Sequence, residues 1–198
     1  MDKNLANWQK ELDDLQVDVE LDVDKAADAF EEYKASFNEF VNTATSKIEG
    51  AMGENGTELK TKLEELQVQL ALGKAESKDK VEEQRQKLSH TLHEVSTEYD
   101  KFKAEAGDSY EDFKEEMGDQ LEKFKTRVDI FRLHFHLGMA DSKDELENKR
   151  VVLKSQLHDI KTKMDEAEDK AEDKWDDFSE EMGKAFGSFR SALKKLID

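Results

Sequence analysis

Apolar residues recur along this chain at alternating steps of three and four. The first third carries Leu5, Trp8, Leu12, Leu15, Val19, Val23, Ala26, Phe30, Tyr33, Phe37 and Phe40 in that spacing. The middle continues with Leu88, Leu92, Val95, Tyr99, Phe102, Ala106, Tyr110, Phe113, Met117, Leu121, Phe124, Val128, Phe131 and Phe135. The last third runs from Leu146 and Leu153 to Leu193 and Leu196 in the same way. Such spacing draws one narrow apolar stripe down a helix, and no stretch of useful length alternates as a strand would. The pattern predicts an all-α protein.

The stripe fails in two matching places. LALGKAESKD sets Gly73 and Ser77 where apolar residues belong, and HLGMADSKDE does the same with Gly138 and Ser142. Ser142 with Glu145 forms an S-x-x-E helix-start signal; Ser77 is its counterpart, with Lys80 in place of the glutamate. Turns are therefore expected near 73–76 and 138–141. A third irregular stretch, GAMGENGT, crowds Gly50, Gly53 and Gly56 together, and predicts either a turn or a kink at 53–57.

These breaks mark a repeat. Residues 72–128 and 137–193 align without gaps at an offset of 65, with 22 identities in 57 positions. The plainest case is YEDFKEEMG against WDDFSEEMG, beginning at Tyr110 and Trp175. Residues 7–63 extend the series faintly. The chain reads as a single elongated helical domain, 1–198, of three units, about 7–71, 72–136 and 137–198. One helix per unit would be ~90 Å long at ~1.5 Å per residue, and short turns would make an antiparallel three-helix bundle or coiled coil. A turn at GENG with a longer second helix, or one continuous rod that dimerises, are the competing arrangements. The glycines after Met52, Met117 and Met182 are expected where a neighbouring helix or a bulky side chain on it comes close.

Composition sharpens this picture. Proline and cysteine are absent and charged residues make up 40% of the chain. Without proline, long helices run unbroken; without cysteine there is no disulfide framework, thiolate metal site or cysteine nucleophile. The net charge of −18 repels a phosphate backbone, so nucleic-acid binding is not expected. MDKNLANWQKELDD lacks the blocks of a signal peptide, and no apolar run approaches the ~20 residues of a membrane span. A cytoplasmic protein with no transmembrane segment is the expectation.

Candidate chemistry is sparse. His134 and His136 stand two apart and point to different helix faces; His90 and His93 have workable spacing but no third ligand nearby, and His158 stands on the following segment. Histidines and carboxylates together could make a metal binder, but surface or seam-edge imidazoles are the reading adopted, with no metal and no cofactor. Acids followed four residues later by lysine, as in Glu58/Lys62, Glu83/Lys87, Asp119/Lys123, Glu145/Lys149, Asp159/Lys163 and Glu180/Lys184, support an exposed helix face rather than a catalytic pair. No nucleophile motif or glycine loop points to an enzyme. One stripe stands out for its aromatics: Trp175, Phe178, Met182, Phe186, Phe189, Leu193 and Leu196, followed closely by Lys194 and Lys195. It is bundle core in the first instance, and a lipid- or partner-binding face if the bundle opens.

The closing phrase WDDFSEEMGKAFGSFRSALKKL, with LQVQLALGKAESKDKVEEQRQKL upstream, resembles the long amphipathic helices of bacterial coiled-coil proteins loosely described as stress-response proteins. A weaker likeness is to exchangeable apolipoproteins, whose helix-punctuating prolines this chain lacks. The resemblance covers about two thirds of the chain and implies no catalytic residue. With the slender core and the aromatic seam, this gives the expectation of a non-enzymatic, stress-related interaction protein that self-associates or binds a partner through its apolar seam. Reversible binding to a lipid or other apolar surface is the alternative.

Overall fold

The computed structural model describes residues 2–49, 54–72, 78–107, 110–138, 143–168 and 175–197, with side chains for 9–22, 24–48, 56–72, 80–107, 110–135, 144, 147–165 and 181–196. These residues form helices α1 (Asp2–Glu20), α2 (Val23–Glu49), α3 (Glu54–Leu70), α4 (Lys78–Glu105), α5 (Glu111–Gly138), α6 (Lys143–Glu168) and α7 (Trp175–Ile197). The described residues contain no strand, so the protein is all-α. In place of three helices of about 60 residues there are seven, and the longest, α4 and α5, have 28 residues each.

The extra breaks have local causes. Asp22 ends the run between α1 and α2: its Oδ1 accepts the backbone N–H of Lys25 at 2.9 Å, capping the start of α2. Gly107 follows the end of α4, and its carbonyl accepts the N–H of Tyr110 at 3.1 Å just before α5. The apolar stripe passes through both breaks in register, which is why the spacing alone does not reveal them. Each clear copy of the 65-residue repeat therefore corresponds to two helices, α4 with α5 and α6 with α7. The corner expected at 73–76 lies outside the described residues; of the one expected at 138–141, Gly138 is the last residue of α5 and the rest lies outside them; of the turn or kink expected at 53–57, Gly53 lies outside them and 54–57 open α3 as helix. Contacts of Asn42 with Gln67 and of Lys34 with the Leu72 carbonyl set α2 and α3 antiparallel.

Contacts divide the chain into two compact units, Ala27–Val128 and the pair Met1–Ala26 with Asp129–Asp198. The first, unit 2, is an up-down-up-down four-helix bundle. The Phe124 ring of α5 stacks on Phe37 (4.1 Å) and Phe30 (6.2 Å) of α2, and Lys47 reaches Glu116 at 2.9 Å. Gln67 of α3 donates to Asn42 of α2 at 2.7 Å. Lys62 of α3 approaches Glu94 of α4 at 3.4 Å. Phe102 of α4 sets its edge against Tyr110 and Phe113. Each helix thus touches the next and α5 returns to α2. Among the described residues, three cations of this unit are buried, and Lys114 among them bonds Glu111 at 2.8 Å. Lys34 bonds Glu31 at 3.0 Å and the Leu72 carbonyl, and Arg127 lies over the Tyr33 ring at 4.3 Å. These partners offset the cost of removing the charges from water.

Unit 1 joins α1 to the end of α5, α6 and α7. Leu12, Leu15 and Val19 of α1 share one core with Ile130 and Leu133 of α5, with Leu153, Leu157, Ile160 and Met164 of α6, and with Met182, Phe189 and Leu193 of α7. Ion pairs from Asp13 to Lys161 at 2.9 Å and from Glu20 to Lys154 at 2.8 Å run α1 antiparallel to α6. Lys149 of α6 donates to the Leu196 carbonyl at 2.7 Å, tying down the end of α7.

The repeated glycines separate. A Cβ on Gly118 would meet the Tyr99 hydroxyl at 2.7 Å, so the close approach expected there is real. A Cβ on Gly183 would meet nothing within 4 Å. The repeat explains the difference: the position equivalent to Tyr99 is Met164, which has no hydroxyl to reach its neighbour. Gly53 lies outside the described residues.

Candidate functional site

α7 separates apolar from polar residues more sharply than any other helix of the chain. Its stripe faces inward. Met182, Phe189 and Leu193 are fully buried in unit 1, and Phe186 and Leu196 pack partly buried against the same core with Ala185. Trp175 and Phe178 begin the helix, and their side chains lie outside the described residues. In this closed arrangement the described part of the face, Met182, Phe186, Phe189, Leu193 and Leu196, is core, and presenting it to anything else requires α7 to leave α1 and α6. The outer side of α7 is bare: Gly183 and Gly187 each have open space where a side chain would stand. Each glycine costs a helix interior about 1 kcal/mol relative to alanine, and no packing requirement is met in return. Lys194 and Lys195, exposed in the last turn, suit the negative end of the helix.

The histidines divide between surface and core. His90 is 73% exposed and stands 3.7 Å from Glu94; His93 and His158 are exposed. The His136 side chain lies outside the described residues. His134 departs from the expected surface or seam-edge position: it is 1% exposed. Its Nε2 lies 2.8 Å from the Asp18 carbonyl near the end of α1. A carbonyl only accepts, so Nε2 carries the proton and donates. Burial pushes the proton affinity of this imidazole below the ordinary histidine range, against the pull of the Asp18 carbonyl. Beside it, Arg150 of α6 donates to the Leu21 carbonyl and approaches Glu147 at 3.8 Å. The signal for this cluster was present in the sequence. Around His134 the apolar residues thicken beyond a single stripe, with Ile130 and Leu133 added to Phe131 and Phe135, and all but the half-buried Phe135 are buried.

No family model, curated protein or solved structure matches this chain. The likeness to bacterial coiled-coil proteins therefore stands on its motifs, and function must be argued from geometry.

Among the described residues, no three histidine or acidic side chains gather as metal ligands, and no helix is long and apolar enough to cross a membrane. The acid–lysine spacing is realised at Glu83–Lys87 (2.6 Å) and Asp119–Lys123 (2.8 Å). Lys62 instead meets Glu65 on its own helix and Glu94 of α4, and Lys149 the end of α7. Tyr99, the other buried titratable group with a shifted affinity, donates its hydroxyl to the Lys114 carbonyl, and burial holds its pKa above the ordinary tyrosine value.

Proposed function

We propose that this chain is a non-enzymatic helical-bundle interaction protein that acts through its apolar seam, with α7 as the element it offers. The observation that carries this reading is the contrast within α7. Its inner face is a strong amphipathic surface, while Gly183 and Gly187 weaken the helix on a side where nothing needs them. A helix held for packing alone gains from alanine at both positions; a helix that leaves its bundle does not need that gain. The released face would pair with the same face of a second copy or with the amphipathic helix of another protein. The resemblance to stress-related coiled-coil proteins supports a bacterial, cytoplasmic role of this kind.

Sedimentation over a range of protein concentrations tests the reading. Wild type is expected to associate reversibly as its concentration rises. A strict monomer at every concentration would count decisively against it.

A second reading is reversible coating of a lipid surface by α7, supported by Lys194 and Lys195 beside the aromatic stripe. Flotation of wild type and Phe186→Glu with liposomes tests it, and wild type that never floats removes it.

A further inference from the structure

We propose that His134 is an acid-release latch for unit 1: its neutral imidazole ties the end of α1 to α5, and protonation in the mildly acidic range loosens that tie. The latch stands whether or not the α7 seam binds a partner. Four observations converge on it. The ring is sealed from water. Its one hydrogen bond, Nε2–H to the Asp18 carbonyl, joins residues 116 positions apart. Its Nδ1 is buried and faces no acceptor, so a proton added there would be an unsatisfied donor in the core. Finally, the Arg150 guanidinium opposes a second positive charge at the same spot.

The surrounding charges do not reverse this. From α1 the flanking ionisable groups are Asp18, itself buried, and Glu20. The link to α2 adds Asp22, whose carboxylate favours the imidazolium but acts less than Arg150 does. From α6 come Glu147, Arg150 and Lys154; on α5 itself are Asp129 and Arg132; α7 brings Lys194 and Lys195, both exposed. The Asp18 carbonyl strengthens its bond to a charged ring, yet burial outweighs that gain.

The sign follows from linkage. The folded ring holds a proton less readily than the unfolded one, whose ordinary value is 6.5. The latch is therefore fully set above about pH 6.5. Below that the unfolded state takes up the proton first, and the unfolding constant rises by up to about tenfold per pH unit until the folded ring also titrates.

The chain carries its own probes. Both tryptophans, Trp8 and Trp175, belong to unit 1, and all three tyrosines, Tyr33, Tyr99 and Tyr110, belong to unit 2. Tryptophan emission thus follows unit 1 and the tyrosine near-ultraviolet signal follows unit 2. Urea unfolding of wild type and His134→Gln is compared from about pH 7.5 to about pH 5.5. The glutamine amide can still donate to Asp18 but does not titrate. The expected result is a wild-type tryptophan transition that weakens on acidification by about fivefold or more in the unfolding constant relative to His134→Gln. The tyrosine transition should shift equally in both proteins. Parallel tryptophan curves overturn the latch. Should His134→Gln fail to fold, the NMR titration of the wild-type ring decides: His134 must titrate below the ordinary histidine value of 6.5, and a midpoint at or above that value counts the same way as parallel curves.

Discussion

Gly118 and Gly183 occupy the same place in the repeat, yet alanine should act on them in opposite directions. At Gly183 a methyl enters open space on an exposed helix face. The gain is that of helix propensity, about 1 kcal/mol. At Gly118 the same gain is available, but the new Cβ would stand 2.7 Å from the Tyr99 hydroxyl oxygen and 3.4 Å from Cζ. The ring is 7% exposed and cannot simply swing into water. Tilting it strains the packing by about 1–3 kcal/mol and disturbs the buried bond to the Lys114 carbonyl, worth about 1 kcal/mol. Set against the propensity gain, Gly118→Ala should destabilise unit 2 by about 1–3 kcal/mol. Tyr99→Phe removes the oxygen that clashes. In that background Gly118→Ala should be close to neutral or stabilising, so the double-mutant cycle carries a coupling of about 1.5–3 kcal/mol. Urea denaturation followed by far-ultraviolet circular dichroism measures all four proteins of the cycle. The reasoning is refuted if Gly118→Ala stabilises as much as Gly183→Ala, or if the Tyr99→Phe background leaves its effect unchanged.

Phe124→Ala should cost unit 2 about 3–5 kcal/mol, because its ring is sandwiched with Phe37 and Phe30 and the vacated space is walled by rigid aromatics; denaturation read by the tyrosine signal checks it. Arg127→Ala should cost about 1–2 kcal/mol through the lost contact with the Tyr33 face, and Arg127→Lys should restore only part of it in the same assay. Lysine partners hold Glu20, Glu83, Glu98 and Glu111 below the ordinary glutamate value of 4.5. Their contribution is fully present above about pH 4.5 and is lost as pH falls through their lower folded values. A thermal melt against pH should therefore show a second acid limb below the histidine window, and added salt should shrink it.

Helix content was legible because a three-four apolar period has one structural meaning. Where helices end was less so. Asp22 and Gly107 break the backbone without breaking the stripe, since Val19, Val23 and Ala26 stay in register across one, and Phe102, Ala106 and Tyr110 across the other. The stripe records which side of the chain is apolar, not whether the axis turns. The glycines of the repeat teach the same lesson in reverse. Identical local phrases, EEMG at Glu115–Gly118 and at Glu180–Gly183, acquire different meanings because Tyr99 on a preceding helix becomes Met164 in the other copy. The thickened apolar run around His134 hinted at its burial, but its partner at the end of α1 lies 116 positions earlier, and no local spacing reports such a neighbour. The α7 stripe was visible at once, but whether it is core depends on α1 and α6 being there to cover it.

The division of unit 1 between the two ends of the chain sets an order for folding on the ribosome. Unit 2 is one contiguous stretch, and its four helices can close as soon as Val128 has emerged. α1 is made first but has nothing to pack on. Asp13 meets Lys161 only 148 positions later, a wait of roughly 7–30 s at ~5–20 residues per second of synthesis. Through that interval Leu12, Leu15 and Val19 are an uncovered apolar stripe on a nascent chain. Helix α1 is thus made before unit 2 and finds its place after it, and the period of greatest risk for aggregation ends only when α6 and α7 arrive to cover it.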